Sequence, residues 1–356
     1  MTQSFVVRKY KQGDEKGIVK LMKLCLGRTD FDYWMKHWIW EYKENPLGKD
    51  IWIAEFNGQI VAHHAHIPVN LKVGRQTLKS CIGVDSMTHP KFRRRRLQRK
   101  MEDIAHGELA KTGTYFSYYF PGEIFHKHRG EHSYAVCKIP FLIKFLDTNE
   151  VLKRLVRSKF LAKTLSVWLN PIIGAFFRSK KQPYIKDVKI TKIAQFDDRI
   201  DVFWKDVSRY FNIIVVRNKE YLNWRYFQRP HLNFKVLLAE NDDKILGYIV
   251  FTCRDNTGFI VDLLVYPHRL DIIQSLVSMA TEQLREEKVH WMICRMLKNN
   301  PYYKILRGNG FIPYSPKHSF GVTIHSPSNA PEESVKNPNN WYLTLGDTNG
   351  ILLGNL

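Results

Sequence analysis

The chain has 356 residues, which at roughly 150 residues per domain favours two domains over one. Hydrophobic residues are 44% and aromatics 13%, enough apolar matter for packed cores and against a disordered chain away from the ends. Fifty-five Lys and Arg against 34 Asp and Glu give +21, which keeps nucleic acid, anionic lipid and phosphate-rich ligands open as partners and says nothing about fold. The five cysteines are widely spaced and form no CxxC. They argue against a disulfide framework or a zinc motif and for reduced thiols in a cytosol.

Ser4 to Tyr10 reads as a first strand, and no apolar h-region follows it, so no secretion signal is expected. Trp40-Glu41-Tyr42 with Pro46 precedes Ile51 to Glu55, the turn Asn57-Gly58, and Gln59 to Ala62, a hairpin by its turn chemistry. On the strand that follows, His64 and His66 share one face and His63 points away. Two such residues without a cysteine partner are read as packed or cleft-lining histidines, and no metal is expected. Val84-Asp85 with Pro90 leads into a helix whose face carries Leu97, Met101, Ile104, Ala105 and Leu109, ending at Gly113. Tyr115 to Phe120 reads as an aromatic-rich strand, closed by Pro121-Gly122.

Residues 151–190 hold ten Lys or Arg and one Asp, with Leu152, Leu155, Val156, Phe160, Leu161, Leu165 and Trp168 in helix-like register. This is a basic amphipathic connector, read first as a linker and second as an attachment surface for anionic lipid. Its greasiest part, Thr164 to Phe177, is short of the ~20 residues that span a bilayer and is interrupted at Asn170 and Pro171. A cytoplasmic protein, at most peripheral at a membrane, is expected.

The second half repeats the first. Trp224-Arg225-Tyr226 with Pro230 matches W-x-Y-x-x-x-P, a second hairpin runs from Val236 to Gly247 around Asn241-Asp242-Asp243, and Val261-Asp262 with Pro267 matches V-D-x-x-x-x-P. Three matches in one order imply a duplicated unit of strands and helices. The expected architecture is α/β with mixed sheets: 1–150, a connector 151–190, and 191–356.

The order of elements, and the run Val84 to Leu97 above all, resembles the GCN5-related N-acetyltransferase (GNAT) superfamily and its two-domain members. Asn340 to Thr348 resembles the end of such tandem proteins. The resemblance implies an acyl-coenzyme A donor, acetyl-coenzyme A first, whose pyrophosphate sits on a helix N-terminus. Arg93, Arg94, Arg95, Arg96, Leu97 and Gln98 would form that turn. The family's turn is Arg/Gln-x-x-Gly-x-Gly/Ala; Arg93 matches, whereas Arg96 and Gln98 stand at the glycine positions. The second unit has no such turn after Pro267, and Asp271 stands where phosphate would lie, which marks it as a degenerate copy. Its Gly308-Asn309-Gly310-Phe311 keeps the family's closing Gly-Phe.

Direct attack of an amine on the thioester needs a backbone N–H at the carbonyl oxygen, a base and an acid. By family position the N–H comes from Met87, Thr88 or His89. Asp85, His89 and Glu123 are candidate bases, with Glu123 preferred and Asp85 given a structural role alongside Asp262. The family's acid is a Tyr four residues before a Gly-Phe; here His126 stands four before Gly130. The reading is an N-acyltransferase acting on a small-molecule amine such as an amino sugar. A Fem-type transferase taking its donor from aminoacyl-tRNA, favoured by the +21 charge, and a non-catalytic binding protein are the alternatives.

Overall fold

The computed structural model describes residues 5–27, 30–120, 132–147, 185, 187–314, 319–326 and 331–348. In the first half, strand β1 (Val6–Lys9) is followed by helices α1 (Glu15–Leu26) and α2 (Phe31–Trp38), then β2 (Asp50–Phe56), β3 (Gln59–Val73), β4 (Gln76–Thr88), α3 (Leu97–Lys111), β5 (Phe116–Tyr119), β6 (Ser133–Lys138) and β7 (Phe141–Phe145). The second half runs β8 (Lys189–Ile193), α4 (Arg199–Val207), β9 (Ile213–Val215), α5 (Lys219–Leu222), β10 (Lys235–Asn241), β11 (Lys244–Arg254), β12 (Thr257–Val265), α6 (Leu270–Glu286), β13 (Trp291–Arg295), α7 (Tyr303–Gly308), β14 (Ile312–Tyr314), β15 (Ser319–Ile324) and α8 (Glu332–Lys336).

Local chemistry sets several boundaries. Asn57 at φ 51° and Gly58 at φ 76° make the two-residue turn that matches the strand twist of the β2–β3 hairpin. Asp30 caps α2 by accepting from Tyr33 N–H. Leu97, Met101, Ala105 and Leu109 of α3 are buried against Trp52, Ala54, Val61, Ala62 and Cys81, with Ile104 at the margin. Gly113, at φ 76°, ends that helix as expected.

The strands form two mixed sheets. One is ordered β1-β2-β3-β4-β5-β15-β6, with β9 on the far end of β3; the other is β14-β7-β13-β12-β11-β10-β8. Each half lends strands to the other: the second gives β9 and β15 to the first sheet, and the first gives β7 to the second. β7 pairs with β13 and β14, and β15 pairs with β5 and β6. The sheets therefore do not divide at residue 150.

The duplicated W-x-Y motifs meet at the seam. Both continue their helices as π-turns, Ile39–Lys43 and Asn223–Phe227. The Trp40 and Trp224 rings stack with centroids 5.2 Å apart. Trp40 Nε1 donates to Trp224 O at 2.8 Å and Trp224 Nε1 donates to Trp40 O at 2.9 Å. This reciprocal pair is the local two-fold of the repeat.

Candidate active site

The site is built where β4 parts from β5. The two run parallel and pair only at Ser80–Phe116, Cys81–Ser117 and Ile82–Tyr118. Beyond Ile82, β4 continues to Thr88 with β3 on one side and no described strand on the other. A bulge interrupts it: Met87 faces His63 and Val84 faces Ala65, so Asp85 and Ser86 together oppose His64. Asp85 adopts φ 49°. The bulge turns neighbouring side chains to different partners. Asp85 Oδ2 accepts from Tyr42 Oη at 2.7 Å, whereas Ser86 Oγ lies 2.8 Å from His64 Nδ1.

Backbone direction sorts the three expected amides. His89 N–H donates to Val61 O at 2.8 Å. Successive groups on an antiparallel strand alternate sides, so Thr88 N–H turns away from β3 toward the opening, and Met87 N–H does not.

The turn into α3 supplies the positive end. Arg94 at φ 63° and Arg96 at φ 58° adopt the left-handed conformation that glycine would take freely, at a cost of roughly 1 kcal/mol each. Arg96 is the N-cap of α3 and offers no side-chain acceptor to the first-turn amides. Arg93, Arg94, Arg95 and Arg96 are exposed, while Leu97 anchors the helix start in the core. Arg95 lies over the rings of Phe5 and Phe92, 5.5 and 5.7 Å from their centroids. Gln98 folds inward: Nε2 donates to Met87 O at 2.6 Å, His63 O at 3.1 Å and Thr88 Oγ1 at 3.1 Å. Its side chain thus braces the end of β4 instead of standing over the turn. Open amides, a helix dipole and clustered guanidiniums fit a pyrophosphate even without the usual glycines.

These features belong together in one family. Residues 6–129 match the acetyltransferase (GNAT) domain family. This segment is a GNAT domain. No curated protein matches the chain in sequence. Among solved structures, the chain is similar to a GCN5-related N-acetyltransferase from Anabaena variabilis, at TM-score 0.66 and 11% identity over 91% of this chain and 74% of that one. It is similar to a probable N-acyltransferase from Enterococcus faecalis, at 0.64 and 11% over 90% and 73%. It is also similar to Saccharomyces cerevisiae N-myristoyltransferase with bound myristoyl-CoA, at 0.57 and 13% over 91% and 80%. At these identities the likeness is one of fold, and it extends over both sheets.

Within the GNAT domain, Asp85 heads a buried polar chain. Burial, and then the charge of Glu41, push its carboxyl up to about 8, with the Tyr42 hydrogen bond pulling the other way. Burial works against Glu41 as well, but His37, with Nε2 3.1 Å from Glu41 Oε2, and the Arg229 and Arg225 guanidiniums outweigh it and hold this carboxyl below its usual range. His63 bonds the Asp85 carbonyl at 2.8 Å, and burial pushes its imidazole down to about 4.

The second unit repeats the pair with another outcome. Tyr226 Oη donates to Asp262 Oδ2 at 3.0 Å, as Tyr42 does to Asp85. Asp262 is fully buried and paired with Arg217 at 3.0 Å, and Arg217 also binds Asp347 at 3.0 Å. Asp262 is therefore neutralised in place, whereas Asp85 has a tyrosine and a second carboxylate beside it. Asp271, at the start of α6, is paired with Arg269 at 2.7 Å, so this helix offers no comparable anion site.

Glu123 and His126 lie outside the described residues, as does most of the connector. Instead, a cavity of about 400 Å³ opens beside the splay, lined by His64, His66 and Ser86, by Ser117 and Tyr119 of β5, and by His106, His132 and His325. His106 stacks on His132 with centroids 4.9 Å apart, and its Nδ1 is 2.9 Å from His325 Nδ1. Burial pushes His325 down to about 3. The sequence placed His64 and His66 on one face. It held no local signal for His132 and His325, which stand just before β6 and just after the exchanged strand β15. No helix among the described residues is long and apolar enough to cross a membrane.

Proposed function

We propose that the protein is an acyl-coenzyme A-dependent N-acyltransferase acting on a primary amine of a small molecule, such as an amino sugar. The observation that carries the reading is the open edge of β4 after the Asp85–Ser86 bulge, followed at once by the arginine turn and uncapped start of α3. Bound there, the donor supplies an activated thioester. Arg93, Arg94 and Arg96 hold its phosphates, and Thr88 N–H points where the carbonyl oxygen would gather charge. Asp85 takes the base role in its ionised form: a carboxyl titrating near 8 is basic enough to take the proton of an attacking ammonium, so turnover should rise as pH passes through about 8. The amine nitrogen attacks the thioester carbon, the carbon–sulfur bond breaks, and the thiolate leaves with a proton. Glu123 is the alternative base and His126 the proposed acid. The histidine and serine lining beside the splay favours a short or polar acyl group over a long alkyl chain.

Calorimetry on the full chain with acetyl-CoA, myristoyl-CoA and inorganic phosphate tests this. Acetyl-CoA should bind best, and Arg93→Ala should raise its dissociation constant about tenfold, since a charge-assisted contact is worth ~1.5–3 kcal/mol. Arg154→Ala, in the connector, should leave it unchanged. Salt-sensitive binding of tRNA without acetyl-CoA binding would favour the aminoacyl-tRNA reading, which the +21 charge supports. Attachment of residues 151–190 to anionic lipid is likewise proposed, and is read by co-sedimentation with anionic against neutral vesicles.

A further inference from the structure

One group of side chains beside the splay carries no proton or bond-making step in the proposed acyl transfer. His66 of β3, Cys81 of β4 and His325 just after β15 bring their ligand atoms within 4.8 Å of one another. All three are buried, at 5%, 1% and 5% exposure. His66 and Cys81 meet on the paired strands β3 and β4, and His325 joins them because β15 is lent to the first sheet. His325 Nδ1 is engaged by His106, while its Nε2 is buried with no hydrogen-bond partner among the described residues. A buried imidazole nitrogen without a partner is costly, and a metal ion is one of the few groups that relieves it.

We propose that His66, Cys81 and His325 form a site for a thiophilic divalent transition metal, zinc by ligand chemistry, with a fourth coordination position open to the cavity. One thiolate and two imidazoles suit zinc and exclude magnesium and calcium, which take oxygen ligands. Zinc–sulfur and zinc–nitrogen bonds of about 2.3 and 2.0 Å place tetrahedral ligand atoms about 3.5 Å apart, so the widest pair has about 1 Å to close. Side-chain rotation supplies that. Binding replaces the Cys81 S–H bond with a metal–sulfur bond and releases the proton to solvent. His106 then accepts from the His325 Nδ1–H and fixes its tautomer, the usual outer support of a metal-bound histidine. The ion ties the borrowed strand to β3 and β4.

The test uses the full, tag-free protein: metal content as purified, then cobalt(II) titration of metal-stripped protein followed by its visible and thiolate-to-cobalt absorption. One equivalent should bind. Cys81→Ala should abolish the thiolate band, His325→Gln should weaken binding at least tenfold, and Cys253→Ser, at an exposed cysteine, should change nothing. His106→Gln should weaken binding roughly 10–100-fold while keeping the thiolate band. Circular dichroism checks that each variant is folded. Absence of both bound metal and a thiolate band in folded protein overturns the site, and so does a band that survives Cys81→Ala. None of these readings depends on acyl-CoA binding, so the site stands or falls apart from the proposed reaction.

Discussion

At the scale of single residues, the molecule uses one motif in two electrostatic settings. Asp85 and Asp262 follow the same valine, sit at bulges and accept from the tyrosine of the same W-x-Y motif. Asp262 faces a guanidinium, and Asp85 faces Glu41. This gives a signed prediction for pH. An unfolded aspartate titrates near 3.9, and the folded Asp85 near 8. Below about pH 4 both states are protonated and the folded state has its full stability. Between about 4 and 8 only the unfolded chain loses the proton, so stability falls as pH rises and levels off above 8. Asp85→Asn keeps the neutral shape and removes that slope. Its melting temperature should match the parent at pH 4 and exceed it at pH 8, while turnover falls ~10²–10⁴-fold with donor affinity intact. Full activity in this variant would return attention to Glu123 and His89. The sequence paired the two aspartates correctly; it could not separate their roles, because what differs is the neighbour each meets in space.

At the scale of elements, what was legible is what is local. Hairpins, the amphipathic face of α3 and its stop at Gly113 follow from turn chemistry and periodicity within about twenty residues. The arginine turn was legible too, but not the accommodation of Gln98, whose amide reaches β3 and β4 across the fold. The buried network around Arg217 was equally hidden, because its carboxylates come from β12 and from the segment before the C-terminus. Arg217 Nη1 also donates to Val215 O at 2.9 Å, so one side chain pins β9, β12 and Thr344–Asp347 together. Removing one partner of a buried ion cluster leaves uncompensated charge and typically costs about 3–5 kcal/mol. Arg217→Met should lower stability by that amount in denaturant unfolding. Combining Arg217→Met with Asp262→Asn and Asp347→Asn, which removes the charges but keeps an acceptor for Tyr226 and Tyr248, should recover much of the loss, which a simple loss of packing at position 217 would not allow.

At the scale of the whole molecule, the duplication was readable from three ordered motif matches, and the exchange of strands was not. Periodicity identifies a strand but carries no label for the sheet it joins; Phe141–Phe145 and Ser319–Ile324 find their partners through long-range pairing alone. The exchange makes a prediction that the duplicated sequence by itself would reverse. If the halves were independent domains, residues 1–150 and 185–356 would fold separately. Here the first fragment lacks β15, which fills the gap between β5 and β6, and the second lacks β7, which separates β13 from β14. Each fragment would expose unpaired strand edges and the apolar face around Trp40 or Trp224. Expressed alone, each should aggregate or show no cooperative unfolding transition. Co-expressed, they should assemble into a 1:1 complex with a single transition and recover whatever donor binding the full chain shows. Two soluble, cooperatively folding fragments that ignore each other would mean that the strands are not exchanged in solution. Trp224→Ala introduced into the 185–356 fragment sharpens the result. It removes both the Trp40 stack and one of the reciprocal hydrogen bonds at the seam, so it should weaken association of the fragments far more than it perturbs the elements around α5.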